Sequence, residues 1–329
     1  MTVRWGVIGA SGVARRRAMP AIQKAEGAEL QALMVRDLDR ARRLAEEFGA
    51  KVGYDSVEAL LSDEAVDAVH VATPVYLHRE QVIRAAESGK HVLCEKPMAM
   101  SSKECRDMIA ACRANGVELM VCFLLRFQPA LRKIKKIIAS GQLGTVMEAR
   151  CQLMKWMPRD QDAWRIDPER SGGGVLMDIG SHTLDILSAL LGDIVEVSAF
   201  LDHRVFGWKV EDTAHVLMRF ESGAYGRTTV SFAVPHSESF LEVYGTKGTA
   251  LVYTTTPHAE GWTIRIYSDE GPKEWSTPSE DLYQAEVEHF ARVLAGEEPS
   301  LAPGIAGLRN LAAIEAAYRS AAEKRTIQV

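Results

Sequence analysis

Short apolar runs alternate with amphipathic stretches of helical period through the first 125 residues of the chain. The runs are apolar at consecutive positions, so they predict strands that are buried on both faces of a sheet. Buried strands joined by helices are typical of an open, doubly wound parallel sheet. The predicted strands cover Val3–Ile8, 30–35, 66–72, His91–Cys94 and 118–124, and the helices between them include Leu38–Phe48 and 77–88.

The pattern changes after about residue 145, where apolar and polar residues alternate one by one. This period predicts antiparallel strands with one covered face, and the turns at 221–224 and 245–248 predict hairpins. One helix is predicted inside this region at 174–191, and two more close the chain at 282–295 and 305–322. The predicted strands cover Val146–Met154, Ile194–Asp202, 214–220, 226–232, 240–244, 249–253 and 263–267.

These patterns predict an α/β chain with two domains, in agreement with a length of 329 residues. We expect a doubly wound parallel-sheet domain over residues 1–125. An α+β domain with a large, mainly antiparallel sheet is expected over residues 126–329.

Composition narrows the functional classes. The formal net charge of −5 argues against a nucleic-acid partner, which normally requires a large positive excess. The five cysteines contain no CxxC pair, which favours reduced, buried thiols. The longest apolar run, 119–125, is seven residues, whereas a membrane span needs about 18, and the N-terminus does not resemble a secretion signal. We therefore expect a cytoplasmic protein with neither a membrane nor a nucleic-acid partner.

A glycine-rich turn follows the first predicted strand directly. It matches the dinucleotide fingerprint G-x-G-x-x-G/A except that a serine replaces the middle glycine. Such a turn presents backbone N–H groups at a helix N-terminus, where they can bind a pyrophosphate. A turn without a ligand is the alternative, but the position at the start of the alternating pattern favours a Rossmann cofactor site. Its predicted residues are Gly9, Ala10, Ser11, Gly12, Val13 and Ala14.

The end of the second strand bears on which dinucleotide is bound. The acid that would bind the ribose diol of NAD falls at Val35, and Arg36 follows it. Because an arginine pairs with a 2′-phosphate, we predict a preference for NADP(H), bound by Arg36 and Arg40, with NAD(H) as an alternative cofactor. In the other interpretation both arginines are solvated, and Asp37 or Asp39 is a helix N-cap.

Two further segments lie where doubly wound folds bind ligands, at the carboxyl ends of strands. Thr73 and Pro74 follow the third predicted strand, and Glu95-Lys96-Pro97 follows the fourth. A cis Lys96–Pro97 bond would direct the lysine into the crevice; a surface lysine at a loop start is the alternative.

The second domain contains three glycines, 172–174, followed by Asp178 and His182. These two residues are four apart, so on a helix they share one face, and Asp185 continues that polar stripe. The neighbouring residues are apolar, so the stripe needs partners or a ligand. Two ligands are too few for a metal, and we predict no metal site. A satisfied core histidine is the alternative.

The order of these motifs resembles the glucose–fructose oxidoreductase / inositol dehydrogenase / rhizopine-catabolism (Gfo/Idh/MocA) family of dehydrogenases, over nearly the whole chain. The stretches 92–97 and 164–175 look closest to its anhydrofructose reductase subgroup. Two residues bear on this comparison: Ser11 replaces the usual glycine, as in that subgroup, and Val75 replaces a frequent asparagine. The resemblance implies catalytic roles for Lys96, Asp178 and His182, a nicotinamide lined by Glu95 and Lys96, a cis Pro97, a cofactor edge at Thr73, Pro74 and His78, and an approach to nicotinamide or substrate by Arg126, Trp164 and Arg165.

The expected function is hydride transfer between a nicotinamide and a carbonyl or carbinol carbon of a sugar or sugar-like polyol, including anhydrofructose-type ketosugars. His182 is the expected acid–base group, and Asp178 is expected to orient the imidazole or to bind a substrate hydroxyl. Lys96 is expected to polarise the substrate oxygen, with Lys96 as proton donor as the alternative. The alternatives are a non-catalytic cofactor-binding sensor and a dihydrodiol or inositol dehydrogenase. The second face of the broad sheet predicts a homodimer or homotetramer.

Overall fold

The computed structural model describes residues 2–160, 163–254 and 262–329. The chain forms two compact units. Unit 1 contains Met1–Leu124 and Asp281–Leu308, and unit 2 contains Leu125–Glu280 and Arg309–Val329.

Fifteen strands within the described residues form two sheets, one in each unit. They are β1 (Val3–Ile8), β2 (Ala28–Met34), β3 (Val52–Tyr54), β4 (Ala68–Val71), β5 (His91–Cys94), β6 (Leu119–Val121), β7 (Val146–Met154), β8 (Ile194–Asp202), β9 (Thr213–Phe220), β10 (Tyr225–Ser231), β11 (Ser239–Gly245), β12 (Gly248–Thr254), β13 (Thr263–Ser268), β14 (Lys273–Ser276) and β15 (Ile327–Gln328).

Ten α-helices connect or cover these strands in the same part of the chain. They are α1 (Met19–Lys24), α2 (Leu38–Phe48), α3 (Val57–Leu61), α4 (His78–Glu87), α5 (Ser102–Ala114), α6 (Pro129–Ala139), α7 (Pro168–Ser171), α8 (Ser181–Leu191), α9 (Leu282–Leu294) and α10 (Gly304–Glu323).

The sheet of unit 1 has six strands in the order β3-β2-β1-β4-β5-β6, and every neighbouring pair is parallel. The order reverses between β1 and β4, which is the switch point where doubly wound folds bind ligands. Strand β4 is buried at all four positions, as a strand covered on both faces should be. The predicted Rossmann sheet is confirmed. The three-residue strand β3 was not predicted, because its residues are all only half-buried and give no apolar run.

The division into units differs from the predicted boundary for one segment. Asp281–Leu308 belongs to unit 1, although it follows the antiparallel strands in sequence. Helix α9 packs on α1 and β2, and its Phe290 ring lies 5.3 Å from the ring of Trp5. The amide of Val121 also donates to the carbonyl oxygen of Ala302. These contacts join residues more than 150 positions apart, which periodicity alone cannot detect.

The sheet of unit 2 has nine strands in the order β14-β13-β12-β11-β7-β10-β9-β8-β15. All neighbouring pairs are antiparallel except β7 and β10, so the sheet is mainly antiparallel, as predicted. Helix α8 covers one face, where Thr228 of β10 donates a hydrogen bond to Thr183. On the other face of β9, His215, Leu217 and Arg219 are exposed.

The predicted helix over 174–191 is interrupted. Leu176–Gly180 forms a π-helical turn, and α8 begins only at Ser181. The apolar stretch Pro168–Leu191 is long enough to cross a membrane by length and composition, but 72% of its most apolar window is buried inside the chain. All five cysteines are free and buried, as expected.

Candidate active site

The glycine-rich turn lies between β1 and the helical turn that begins at Ala14. The amides of Gly9 and Ala10 both donate to the carbonyl oxygen of Met34, which fixes the turn to the end of β2. Gly9 has φ +86°, and a Cβ there would lie 2.8 Å from the Thr73 side chain, so only glycine fits. A Cβ on Gly12 (φ +50°) would have no neighbouring atom within 4 Å, so the space beside this residue is open. A tightly fixed backbone with open space beside it suits a dinucleotide pyrophosphate.

The two arginines at the start of α2 are exposed. Arg40 donates from Nη2 to the Ser11 hydroxyl at 3.2 Å, so its guanidinium lies beside the glycine-rich turn. Asp37 accepts the Arg40 amide and caps α2, in agreement with the alternative interpretation of that acid. Arg36 and Arg40 thus lie in exposed positions just after β2, and Arg40 also lies beside the glycine-rich turn.

His78 is buried and joins two loops at the carboxyl edge of the parallel sheet. Its Nε2 faces the carbonyl oxygen of Thr73 at 2.8 Å, and its Nδ1 faces that of Pro97 at 3.1 Å. Burial lowers the pKa of the imidazole against the opposing effect of the carbonyl oxygens of Thr73, Met98 and Pro97. His78 therefore acts as a positioning residue that links the Thr73-Pro74 loop to the Lys96-Pro97 segment. Thr73 also donates to Gln81 through its hydroxyl.

The Glu95-Lys96-Pro97 segment follows β5, and its Lys96–Pro97 peptide bond is cis, as predicted. Lys96 is half-buried, whereas Glu95 is only 7% exposed. Glu95 lies beside His70, with 3.6 Å between Oε1 and Nε2.

In unit 2, the segment 173–187 is buried at every position except two. Those two are Asp178 and His182, which are half-buried. Their common exposure agrees with the predicted shared face, although Asp178 lies in the π-helical turn and His182 in the first turn of α8. Single π-turns inside helices occur frequently at functional sites.

Asp178 lies between two arginines of the same unit. Arg159 donates from Nη2 to Oδ2 at 3.3 Å, and Nε of Arg165 lies 3.8 Å from the same oxygen. Arg159 packs over the Phe232 ring at 5.3 Å, and Arg165 packs over the Trp164 ring at 4.4 Å. Burial lowers the pKa of Arg159, although it remains a strong base. The sequence analysis missed Arg159, because it lies in a loop without a motif.

Glu211 fixes the start of the segment that carries Asp178 and His182, and the sequence analysis missed it as well. Its carboxylate accepts the amides of Gly174 and Leu176 at 2.9–3.1 Å, and it accepts the Tyr318 hydroxyl at 2.8 Å. A Cβ on Gly173 would fall on the Tyr318 hydroxyl, and one on Gly174 would fall on the Glu211 carbonyl. Gly173 and Gly174 therefore permit a close approach. Burial raises the pKa of Glu211.

Arg126 and Asp185 form a buried ion pair. Both Nε and Nη2 of Arg126 contact the Asp185 carboxylate, the shortest distance being 2.6 Å. Burial of Asp185 raises its pKa to about 6 against the opposing effect of Arg126. The side chain of Arg126 is 17% exposed. Its approach to nicotinamide or substrate stays a prediction, as do those of Trp164 and Arg165.

Family models match both halves of the chain. Residues 3–123 match the oxidoreductase family with an NAD-binding Rossmann fold, and residues 131–251 match the GFO/IDH/MocA C-terminal domain. Together with the glycine-rich turn at the β1/β4 switch point, the first match makes unit 1 a binding unit for a nicotinamide dinucleotide.

Curated relatives extend over most of the chain. It is 33% identical to the 1,5-anhydro-D-fructose reductase of Ensifer adhaerens over 99% of this chain and 98% of that protein. It is 34% identical to D-xylose 1-dehydrogenase (NADP(+)) 2 of Haloferax volcanii over 90% of each. The crystal structure of aldose-aldose oxidoreductase from Caulobacter crescentus complexed with glycerol has a TM-score of 0.91, with 31% identity and full coverage of both chains. The chain therefore belongs to the GFO/IDH/MocA family of oxidoreductases.

Proposed function

We propose that this chain transfers a hydride between a nicotinamide and the carbonyl or carbinol carbon of a sugar or sugar-like polyol. The observation that carries the proposal is the exposure of Asp178 and His182 alone in the otherwise buried segment 173–187. Half-buried polar side chains on one face of an apolar segment can contact a ligand. When bound, the dinucleotide supplies the hydride at its nicotinamide ring. The protein must then orient the substrate and move one proton.

His182 is proposed as the acid–base group, since an imidazole titrates near neutral pH. Asp178 orients a substrate hydroxyl or the imidazole, while Arg159 and Arg165 compensate its negative charge. Lys96 polarises the substrate oxygen through its ammonium group, which stabilises negative charge on that oxygen during hydride transfer. Lys96 as the proton donor is the competing assignment.

Two observations support a polyhydroxylated substrate. Hydrogen-bonding groups surround Asp178, and several relatives are named as sugar dehydrogenases or reductases. Carboxylate and guanidinium groups both bind vicinal hydroxyls, the former as acceptors and the latter as donors. An anhydrofructose-type ketosugar is the first substrate to test because the reductase from Ensifer adhaerens aligns over almost the whole chain.

NADP(H) is proposed as the preferred cofactor. Val35, at the end of the second strand, offers no carboxylate for a ribose diol, and the exposed Arg36 and Arg40 are available to a 2′-phosphate. The Arg40 contact with Ser11 supports a position close to the dinucleotide.

A homodimer or homotetramer is proposed as the assembly. Exposed apolar side chains lie on the strands of the unit 2 sheet, among them Phe200, Leu217 and Tyr225. A partner sheet would cover them and remove their apolar surface from water. Five free, buried cysteines support a reducing, cytoplasmic location.

The test of this function is a panel of ketosugars, aldoses, inositols and aryl dihydrodiols, assayed with NADPH or NADP⁺ and with NADH or NAD⁺. Lys96→Met and His182→Ala are each expected to lower kcat by at least about 100-fold, the usual size of an acid–base contribution. Arg113→Met, at an exposed position of α5, is the control and should keep full activity.

The pH dependence of kcat separates the two assignments. If His182 is the acid–base group, the residual activity of Lys96→Met keeps the ionisation near neutral pH, and that of His182→Ala loses it. Retention of this ionisation in His182→Ala favours Lys96 as donor. Activity within a few-fold of wild type in both variants contradicts the proposed site.

A further inference from the structure

Three buried side chains with metal-binding atoms meet at the carboxyl ends of three neighbouring parallel strands in unit 1. His70 lies on β4, Glu95 directly follows β5, and Cys122 directly follows β6, so neighbouring strands bring them together. Their exposures are 1%, 7% and 0%. Within the described residues, they form a cluster whose ligand atoms all lie within 4.8 Å of one another. The function proposed above does not use His70 or Cys122.

Two distances in the cluster match the edges of a metal-centred tetrahedron. His70 Nε2 lies 3.5 Å from Cys122 Sγ and 3.6 Å from Glu95 Oε1. Zinc bonds of about 2.3 Å to sulfur and about 2.0–2.2 Å to nitrogen and oxygen require N–S and N–O edges of about 3.5 Å and about 3.4 Å. These two distances suit a cation bound between the three side chains, and the ligand atoms of the remaining pair, Glu95 and Cys122, lie within 4.8 Å of each other.

The carboxylate of Glu95 supplies a second, independent observation. Its Oε1 atom is buried and makes no hydrogen bond with any described residue, and the same holds for Nδ1 of His70. Buried polar atoms are normally satisfied, because an unpaired one costs free energy. Glu95 Oε1 lies on the side of His70 Nε2, where a cation bound to both would satisfy it.

Helix α9 carries a candidate for the fourth ligand, Glu286, which lies beside Cys122 but outside the three-residue cluster and would have to move toward the ion. Glu286 is 1% exposed and lies within hydrogen-bond reach of the Cys122 thiol. Burial and the nearby carboxylates raise the pKa of Cys122 well above its usual range, so the thiol is protonated without a cation. A divalent cation reverses this balance, because a thiolate and a carboxylate compensate its charge.

We propose that His70, Glu95 and Cys122 bind a divalent transition-metal ion, with Zn²⁺ as the expected metal and Glu286 as the fourth ligand. Mixed nitrogen, sulfur and oxygen donors in a tetrahedral arrangement suit zinc. Binding breaks the S–H bond of Cys122, forms a metal–sulfur bond and releases one proton to solvent. This inference goes beyond the proposed function and departs from the expectation, based on Asp178 and His182, that the chain binds no metal.

The geometry favours a structural role for this ion. All four side chains are buried, and structural zinc sites are closed by four protein ligands. The ion would connect the carboxyl ends of β4, β5 and β6. The Lys96-Pro97 segment directly follows the β5 end. It is therefore expected to raise the thermal unfolding temperature of the chain.

Cobalt provides a direct spectroscopic probe of this metal site. The full-length protein is first treated with a chelator, and the chelator is then removed. Titration with CoCl₂ is expected to give a near-ultraviolet thiolate-to-cobalt charge-transfer band and visible tetrahedral bands, saturating at one ion per chain. One proton should be released per ion, and ZnCl₂ should abolish the bands. Cys122→Ser should lose the charge-transfer band and the proton release, and His70→Gln should weaken binding by at least about 10-fold.

Cys105→Ala is the matched control, since Cys105 is an equally buried thiol of unit 1 on α5. It should bind cobalt as the wild type does. Circular dichroism and NADPH binding identify variants that fail to fold. The proposal is overturned if the wild type takes up no cobalt, or if folded Cys122→Ser retains the charge-transfer band. Because the readout is spectroscopic, the result does not depend on whether a sugar substrate is found.

Discussion

The carboxylate of Glu211 accepts the backbone amide of Gly174 through both of its oxygens, at 3.0 and 3.1 Å. It also accepts the amide of Leu176, so it satisfies donors at the start of the segment that carries Asp178 and His182. A buried acceptor at a helical N-terminus is both a cap and a fixed negative charge beside the positive end of the helix dipole. Glu211 thus sets the direction in which the segment leaves the glycine turn.

Replacement of Glu211 by glutamine is expected to disturb this segment. The amide group would place an N–H donor against backbone donors, which leaves buried groups unsatisfied and costs about 1–3 kcal/mol. Urea unfolding measures the loss of stability. If the segment moves and displaces Asp178 and His182, kcat should fall by a larger factor than KM rises. Tyr318→Phe removes one hydrogen bond to the same carboxylate and should cost only about 1 kcal/mol. Equal stability of Glu211→Gln and wild type contradicts this role.

The Arg126–Asp185 pair gives a pH-dependent prediction. The pKa of Asp185 in the folded chain is about 6, above its value of about 3.9 in the unfolded chain. A raised folded pKa contributes stability below pH ~4 that is lost as pH rises through about 6. Arg126→Met removes the cation opposite the carboxylate, so its destabilisation should be largest, about 3–5 kcal/mol, at pH 8.

The same destabilisation should shrink toward pH 5, where Asp185 is protonated and needs no cation. Urea unfolding at a series of pH values measures it, with Arg227→Met on the exposed face of β10 as control. A pH-independent difference between Arg126→Met and wild type would show that the carboxylate keeps its charge over this range.

The Arg4–Asp67 pair of unit 1 behaves in the opposite direction. Asp67 accepts the Arg4 amide at 2.9 Å and its guanidinium at 2.6 Å, and the hydrogen bond to the Arg4 side chain lowers the pKa of the carboxyl. A lowered folded pKa gives stability that is present above pH ~4 and lost as pH falls through the folded value. Asp67→Asn should therefore destabilise by about 1 kcal/mol at pH 7 and by much less at pH 3. Unfolding in urea at both pH values decides this.

Local spacing in the sequence was sufficient to predict the glycine-rich turn and the shared exposure of Asp178 and His182. Gly9 to Ala14 and the Asp178–His182 pair lie within single turns, so their geometry follows from nearby residues. By contrast, Glu211 reaches Gly174 across 37 positions, and α9 reaches β2 across more than 240. Such contacts depend on how whole elements pack, and a single sequence does not contain that information.

The His70–Glu95–Cys122 cluster illustrates the same limit. Each residue follows or belongs to a different strand, with 25 and 27 positions between successive members. No motif with metal-ligand spacing connects them; only the parallel order β4-β5-β6 does. The π-helical turn at Leu176–Gly180 was missed for a related reason, since 3.6-residue periodicity assumes a uniform helix.

Cofactor preference provides a prediction in unit 1. Arg36→Ala should weaken NADPH binding by about 10- to 100-fold, because a charged hydrogen bond to phosphate contributes about 1.5–3 kcal/mol. NADH affinity should stay unchanged, since NADH has no 2′-phosphate. Fluorescence titration with both dinucleotides measures this, and Arg43→Ala on the exposed side of α2 is the control. Equal affinity of the wild type for both dinucleotides contradicts the preference.

The exposed face of the unit 2 sheet predicts the assembly. Leu217 is 51% exposed and pairs in register with Arg227 on β10, in the middle of the sheet. In an assembly that buries this face, Leu217→Arg would bury a second positive charge beside Arg227. Light scattering at micromolar concentration should give the wild type a mass of two or four times 36.2 kDa, and the variant a lower mass. Ile305→Arg, at an exposed position outside this sheet, should assemble as the wild type does. A monomeric wild type would mean that this face of the sheet is exposed to solvent, and it would contradict the proposed assembly.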